Sequence, residues 1–443
     1  AKIAKGRDHF QAITGPGNGT GIYTTTANMP IDGRFDAATW DYRGTTPFSV
    51  QNANFVIDLG GEVTTTDFTY SSVSANIQIL LSVDGINWRQ VGTDVRTEGT
   101  MTWSDGNPFR YVRQWFNGGS AGYTLGLSAT TQGVPILAAA QATFSNGLWW
   151  IKDRVNDSTQ HQLVDSVRGQ VGGNWQALTC PTISLNKDYI PPAGNSVAWC
   201  WNAGVAATAN NDGSRQSEVA ANTAAGFSIV EYTANGAAET YGHGLDADPE
   251  FIIFFRATDP GNSPTNTSVY HQALGTSLRL VLNNPNQQDS TPYLTAVNET
   301  TFSIPAGANI TNKVDNDYIA YCWHSVPGYS AFGSYQGNGD STDGAFVALS
   351  FRPAFVMYKR ANSSGSWVIH DTTRDTANPT NIRLMANSSS DEGTSTSMNV
   401  DILSNGFKHR NNDPDLNASS TYIYCAFSEN PFGSSNTSPA TAR

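Results

Sequence analysis

Short apolar runs divided by turn-forming residues fill most of this chain. Ile77 to Val83 alternates apolar and polar residues with period two, broken only at Leu80-Leu81, as a half-buried strand does. Phe251-Ile252-Ile253-Phe254-Phe255 and Phe355-Val356-Met357-Tyr358 are continuous apolar runs with Pro on one side and Arg on the other. Runs this short and this aromatic suit central strands covered on both faces. Ser228 to Tyr232 and Ser334 to Gly339 read as strand followed by turn, and Asn235-Gly236 and Asn338-Gly339 are strong turn dipeptides. The pattern predicts an all-β protein of antiparallel β-sandwiches.

The same pattern recurs at long range. Gly122 to Arg154, Gly226 to Arg256 and Gly328 to Arg360 each open on Gly-aromatic-Ser/Thr, pass a polar Gly-rich turn and end an apolar run at Arg. Their starts are 104 and 102 residues apart. A His follows each Arg (His161, His271, His370), and each copy closes on an aromatic strand with one Cys: VAWCW at Cys200, IAYCW at Cys322, IYCAF at Cys425. A period near a hundred residues is too long for a solenoid and matches an independently folded sandwich. The expected domains are an N-terminal arm at 1–28, a separate sandwich at 29–120, repeats at 121–225, 226–327 and 328–433, and a tail at 434–443.

Composition agrees. With 443 residues, length suggests three or four domains. Only 14% of residues are charged, Gly numbers 41, and aromatics reach 11%, a mix that favours short strands and thin aromatic cores over helices. The net charge of −12 weighs against nucleic acid and anionic membranes as partners. The longest soft run, Val134 to Ala140, is too short to span a bilayer. No signal peptide is visible, although the chain begins at Ala1, so processing or a leader stays open. Cys200, Cys322 and Cys425 are expected at one equivalent core position in three domains, too far apart to pair. They read as buried free thiols, as a protein assembled in a reducing cytoplasm would carry. Cys180 is the one residue that can pair, with Cys200.

The N-terminal segment carries different motifs: Asp32-Gly33 with Thr39-Trp40, Ile57 to Gly60 (IDLG), Ser82 to Trp88 (SVDGINW) and Arg110 to Arg113 (RYVR). Over about 90 residues these resemble the discoidin, or coagulation factor 5/8 C-type, family. The resemblance implies a galactose-binding-like jelly roll whose end loops hold glycans or lipid headgroups. The Cys pair that ties the ends of many members is missing, and no ligand motif transfers. Trp40, Tyr42 and Trp103 lie beside turn residues, where a flat face can stack on a sugar; core packing is the competing role.

The repeats resemble a recurrent module of marine phage structural proteins, similar to concanavalin-like lectin sandwiches, over about 300 residues. The motifs are WIKDR with LVDSVRG, GFSIVEYTANG, YGHGL, YIAYCW, and GYSAFGSYQGNGDSTDGAFV with FRPAFVMYKR. That resemblance implies a tail-fibre or capsid-attached virion protein, with other virion proteins as partners, a homo-oligomer such as a trimer, and host-surface polysaccharide as the ligand.

Catalysis has little support. A hydrolase needs a nucleophile or two poised carboxylates in one cleft, whereas His161, His271 and His370 recur with the repeat and are expected to be structural. Arg154, Arg256 and Arg360 are expected to cap carbonyls or pair with acids at strand ends. No Walker loop or HExxH occurs. Asp340-Ser341-Thr342-Asp343-Gly344 offers Asp340 and Asp343 as Ca²⁺ ligands but lacks the EF-hand spacing. Asn411 to Asp415 is similar, and turn formation accounts for both stretches. No other cofactor is expected. The reading is a non-enzymatic virion surface protein with host-glycan binding and no membrane insertion. The alternatives are a purely structural capsid-decoration or tail-connector protein and a polysaccharide depolymerase.

Overall fold

A computed structural model describes residues 144–428, apart from 183–186, 191, 193–194 and 259–266. Before residue 144 it describes the segments 10–15, 21–23, 54–70, 76–82, 88–92, 99–103, 109–117, 129–133 and 136–141. These residues are all-β: antiparallel sheets, one six-residue helix Ile136–Gln141, and three single 3₁₀ turns. Among the described residues no helix is long and apolar enough to cross a membrane.

The chain divides into two compact units. The first comprises Thr14–Ala139 with Pro191–Ser196. Its strands run in the order Gly21–Tyr23, Ala129–Gly133, Asn54–Tyr70, Phe109–Asn117, Asn76–Ser82, Arg89–Gly92, with Gly99–Trp103 also on Asn54–Tyr70. The IDLG, IQILLS and RYVR segments are thus strands of one sheet, while the Asp84-Gly85 turn lies outside the described residues.

The second unit holds all three repeats. In each, a strand bearing the Cys lies beside the apolar strand, which lies beside the strand bearing the His. These trios are Ser196–Asn202, Gly147–Asp153 and His161–Asp165; then Asp317–Trp323, Phe251–Arg256 and Ser268–His271; then Thr421–Ser428, Pro353–Arg360 and Trp367–Asp371. In repeats 2 and 3 the other edge of the Cys strand pairs with the opening strands Phe227–Thr233 and Ser330–Gln336. Both follow a glycine with positive φ, Gly226 at 61° and Gly328 at 76°. A Cβ at Gly226 would also meet the His324 carbonyl at 2.6 Å, so the opening glycine is a steric requirement there.

Repeat 1 departs from the expected boundaries. Its Cys strand has Phe10–Gly15 as the outer neighbour, while Ala129–Gly133, in the expected opener, lies in the first unit's sheet. The segment Phe10–Gly15 (FQAITG) supplies the outer strand that the other repeats take from their openers. Residues 1–28 are therefore not merely an arm. The chain begins the first repeat, runs through the first unit and returns to finish it.

The larger correction concerns independence. The central strands are apolar on both faces, and alternation sends each face to a different core. In repeat 2, Tyr318, Ala320 and Cys322 face a core closed by the small sheet Glu239–Gly242, Thr301–Ile304, Ala296–Val297. In repeat 3, Tyr422, Tyr424 and Ala426 do the same under Phe346–Ala348, Gly406–His409, Val400–Leu403. The opposite faces meet in one core shared by all three repeats, built from Val197, Trp199 and Trp201, from Ile319, Tyr321 and Trp323, and from Ile423, Cys425 and Phe427. Trp201 lies 5.7 Å from Trp323 and 5.5 Å from Phe427, both edge to face, a favoured aromatic geometry. The three repeats are one body, because each would leave an aromatic sheet face in water if separated.

Candidate functional site

Strand register decides which side chains are equivalent, and it does not follow residue identity. Trp323 pairs with Phe227 and Phe251, and Phe427 with Ser330 and Phe355. Trp323 and Phe427 therefore correspond, Tyr321 corresponds to Cys425, and Cys322 to Ala426. Cys200, next to the core-facing Trp199 and Trp201, falls with Cys322. The expectation of one equivalent Cys position is corrected: Cys425 lies one residue out of step, which in a strand means the opposite face. Cys180, Cys200, Cys322 and Cys425 are all buried and free. Burial pushes their thiols well up, so none is a ready nucleophile or metal ligand.

The histidines separate in the same way. Asp165 pairs with Leu148, His271 with Phe251 and Asp371 with Phe355. Asp165, His271 and Asp371 thus share one position, His370 aligns with Tyr270, and His161 with Trp367. The recurring element is Asp-x-x-Arg, present as Asp165 with Arg168 and Asp371 with Arg374 and replaced in repeat 2 by His271. Asp165 Oδ1 accepts the Val167 and Arg168 amides at 3.0 and 2.9 Å, and its Oδ2 takes Arg168 Nε at 2.6 Å. Asp371 repeats this with Thr373, Arg374 and Arg374 Nε at 3.1, 2.8 and 2.5 Å. Arg168 and Arg374 then donate to the Leu163 and Ile369 carbonyls.

Each such element reaches into the next repeat. Tyr321 Oη of repeat 2 donates to Asp165 Oδ2 of repeat 1 at 2.8 Å. Trp199 Nε1 of repeat 1 donates to Asp371 Oδ2 of repeat 3 at 3.1 Å, with the Arg374 guanidinium 5.6 Å over its ring. His271 of repeat 2 accepts the Ala273 amide at Nδ1, which places its proton on Nε2, facing the Tyr424 carbonyl of repeat 3 at 3.2 Å. Tyr321 and Trp199 occupy corresponding sites, so the three repeats close on one another in a cycle.

A second set of contacts runs the other way. His161 accepts Trp150 Nε1 at Nδ1 and donates from Nε2 to the Met385 carbonyl of repeat 3 at 3.0 Å. Trp367, at the corresponding position, donates to the Val281 carbonyl of repeat 2 at 2.8 Å. Lys152 reaches the Ser389 carbonyl, and Lys359 the Pro285 carbonyl; burial lowers both ammonium groups to about 8. Arg154 forms a bidentate pair with Glu392 of repeat 3 at 2.7 and 2.8 Å, and Glu392 also takes Arg374 Nη1. Arg256 bonds the Asn309 carbonyl and lies over Tyr318, and Arg360 bonds Ser420 Oγ. Arg256 and Arg360 end their strands, whereas Arg154 stands one residue past its own.

The remaining candidates are not brought together. Trp40 and Tyr42 lie outside the described residues; Trp103 ends the strand Gly99–Trp103 opposite Thr66. Asp340 Oδ1 accepts the Thr342 and Asp343 amides at 2.8 Å, which lowers its carboxyl, and Asp343 pairs with Lys408. The Asp340 carboxylate serves the loop's own turn, and that of Asp343 ties the loop to the strand Gly406–His409. Asn411 Oδ1 and Asp413 Oδ1 likewise accept amides within Asn411–Asp415. Among the described residues no three His, Cys, Asp or Glu side chains gather to hold a metal.

The fold and seams define an all-β protein whose repeats are fused through buried polar contacts. The chain belongs to the family described as Domain of unknown function (DUF7483), whose model matches residues 179–431, more than half of its length. No curated protein matches it.

Proposed function

We propose that the protein is a non-enzymatic virion surface protein, a phage tail fibre or capsid-attached appendage that meets host-surface glycan. One observation carries the non-catalytic part: the recurring Asp, Arg and His side chains are spent on one another and on neighbouring backbone at the repeat seams. A poised acid, base or nucleophile needs free valence towards a substrate, whereas Asp165, Asp371, His161 and His271 are already engaged by these contacts and His370 is buried between the sheets of repeat 3. The resemblance of the repeats to phage modules supports the virion setting, and four buried free thiols suit assembly in a reducing host cytoplasm. The resemblance of the N-terminal motifs to the discoidin family supports glycan contact, and of the three candidate aromatics Trp103 lies among the described residues. Weak sites of this kind gain strength when a homo-oligomer, such as a trimer, displays several on a particle beside other virion proteins.

The test incubates the full chain with an array of host envelope polysaccharides and follows both retention and polymer length. Retention without shortening is expected, reduced at least fivefold by Trp103→Ala. Shortening that disappears on changing one carboxylate would replace this reading with a depolymerase. No retention on any polysaccharide would leave a capsid-decoration or tail-connector role.

A further inference from the structure

Repeat 3 carries a polar cluster where repeat 2 is largely apolar. Tyr358, His370 and His409 are buried between its two sheets. Tyr358 lies 5.7 Å from the His370 ring and 5.5 Å from the His409 ring, and His409 stacks on Tyr335 at 5.0 Å. Tyr358 Oη and all four ring nitrogens lack a hydrogen-bond partner. Register places Phe254 at the Tyr358 position and Tyr270 at the His370 position. Phe302 and Phe407 correspond in the small sheets, which places Ile304 at the His409 position. The same sandwich therefore exists in one chain with and without the histidine pair.

We propose that the His370–His409 pair makes repeat 3 the acid-sensitive part of this body, its small sheet opening before that of repeat 2 as pH falls. A neutral imidazole without partners is tolerable in an apolar sandwich, whereas an imidazolium there has neither water nor a carboxylate to meet its charge. Burial holds both rings near 3, with further depression of His370 by Arg374 and Arg383 and of His409 by His370. Among the described residues the carboxylate acting on His370 in the opposite sense is Asp375, and its oxygens already accept the Ala377, Asn381 and Ile382 amides and the Thr380 hydroxyl. The neighbouring Asp371 is held by Arg374, and Lys408 beside His409 is paired with Asp343. Tyr335 and Tyr422 donate to the Leu416 and Pro414 carbonyls, and Cys425 faces the shared core. No neighbour is placed to accept a proton from a charged ring. His161 and His271, at the seams, differ in having partners on both nitrogens. Opening is therefore the route by which the pair gains protons, and it exposes the inner face of the Gly406–His409 strand.

Hydrogen exchange of the full chain at pH 7.5 and 6.0, corrected for intrinsic rates, tests this. Peptides over Val400–Leu403 and Gly406–His409 are expected to lose protection at least tenfold more than those over Ala296–Val297 and Thr301–Ile304. Exchanging in the repeat 2 residues, His370→Tyr with His409→Ile, should erase the difference, and each single change should reduce it. Equal loss in both repeats, or a difference that survives the double change, would overturn the proposal.

Discussion

Asp371→Ala is expected to destabilise the protein by about 3–5 kcal/mol, the range for breaking a buried ion pair by removing one partner. Asp371 and Arg374 side chains are fully buried, so the change strands a guanidinium in the core. It also orphans Trp199 Nε1 and the Thr373 and Arg374 amides, each a group that costs free energy when buried unpaired. Glu392 still meets Arg374 Nη1 at 3.1 Å, which limits the loss. Asp165→Ala should act similarly, since Asp165 meets Arg168 at 2.5 Å with both side chains almost fully buried. Urea unfolding measures both. A double-mutant cycle of Asp371→Asn with Trp199→Phe should show coupling of about 1 kcal/mol, because that hydrogen bond joins repeats 3 and 1. A loss under about 1 kcal/mol for both alanine variants would mean the seams do not hold the body together.

Acid is the second large perturbation. His161, His370 and His409 are held near 3 and His271 near 4, each first of all by burial. An unfolded histidine titrates near 6.5. Below that pH the unfolded chain binds protons that the native chain refuses, so stability falls as pH falls. Each of the four contributes a slope of about 1.4 kcal/mol per pH unit, and together about 5, down to the point where His271 begins to protonate in place. The structures around the seam histidines explain the refusal: a second proton on His161 would face Trp150 Nε1–H, and one on His271 would face the Ala273 amide. Asp289 and Asp375, whose carboxyls are lowered, lose their contribution at still lower pH in the same sense. With typical stabilities of about 5–15 kcal/mol, unfolding near pH 5 is the expected outcome of a circular-dichroism titration. A chain that stays folded with unchanged urea midpoint from pH 7 to pH 4 would refute this.

The strands were legible because alternation and aromatic runs are local. Phe251 to Phe255 and Phe355 to Tyr358 are central strands with both faces buried. What covers the second face was not legible, since a run that is apolar on both sides records burial without naming the neighbour. The repeat was legible in order but not in register. Cys425 and His370 are each shifted from their apparent counterparts by one residue, and His161 by more. In a strand, matching residue types at the wrong parity assigns them to the wrong face. The true recurring element was present in the letters as DSVR and DTTR. It is masked because repeat 2 carries His271 at that place and because His161 and His370 lie within a few residues of it in the other copies. Phe10–Gly15 was missed because the first unit separates it in sequence from the sheet it borders.

Expression of residues 226–327 alone tests the shared core most directly. Cut free, repeat 2 would expose Ile229, Phe251, Ile253, Phe255, Val269, Ile319, Tyr321 and Trp323, all buried in the core common to the three repeats. The fragment is expected to be aggregated or molten, without dispersed amide resonances or a cooperative unfolding transition. A soluble monomeric fragment with a dispersed spectrum and a sharp transition would contradict one fused body and restore three independent sandwiches.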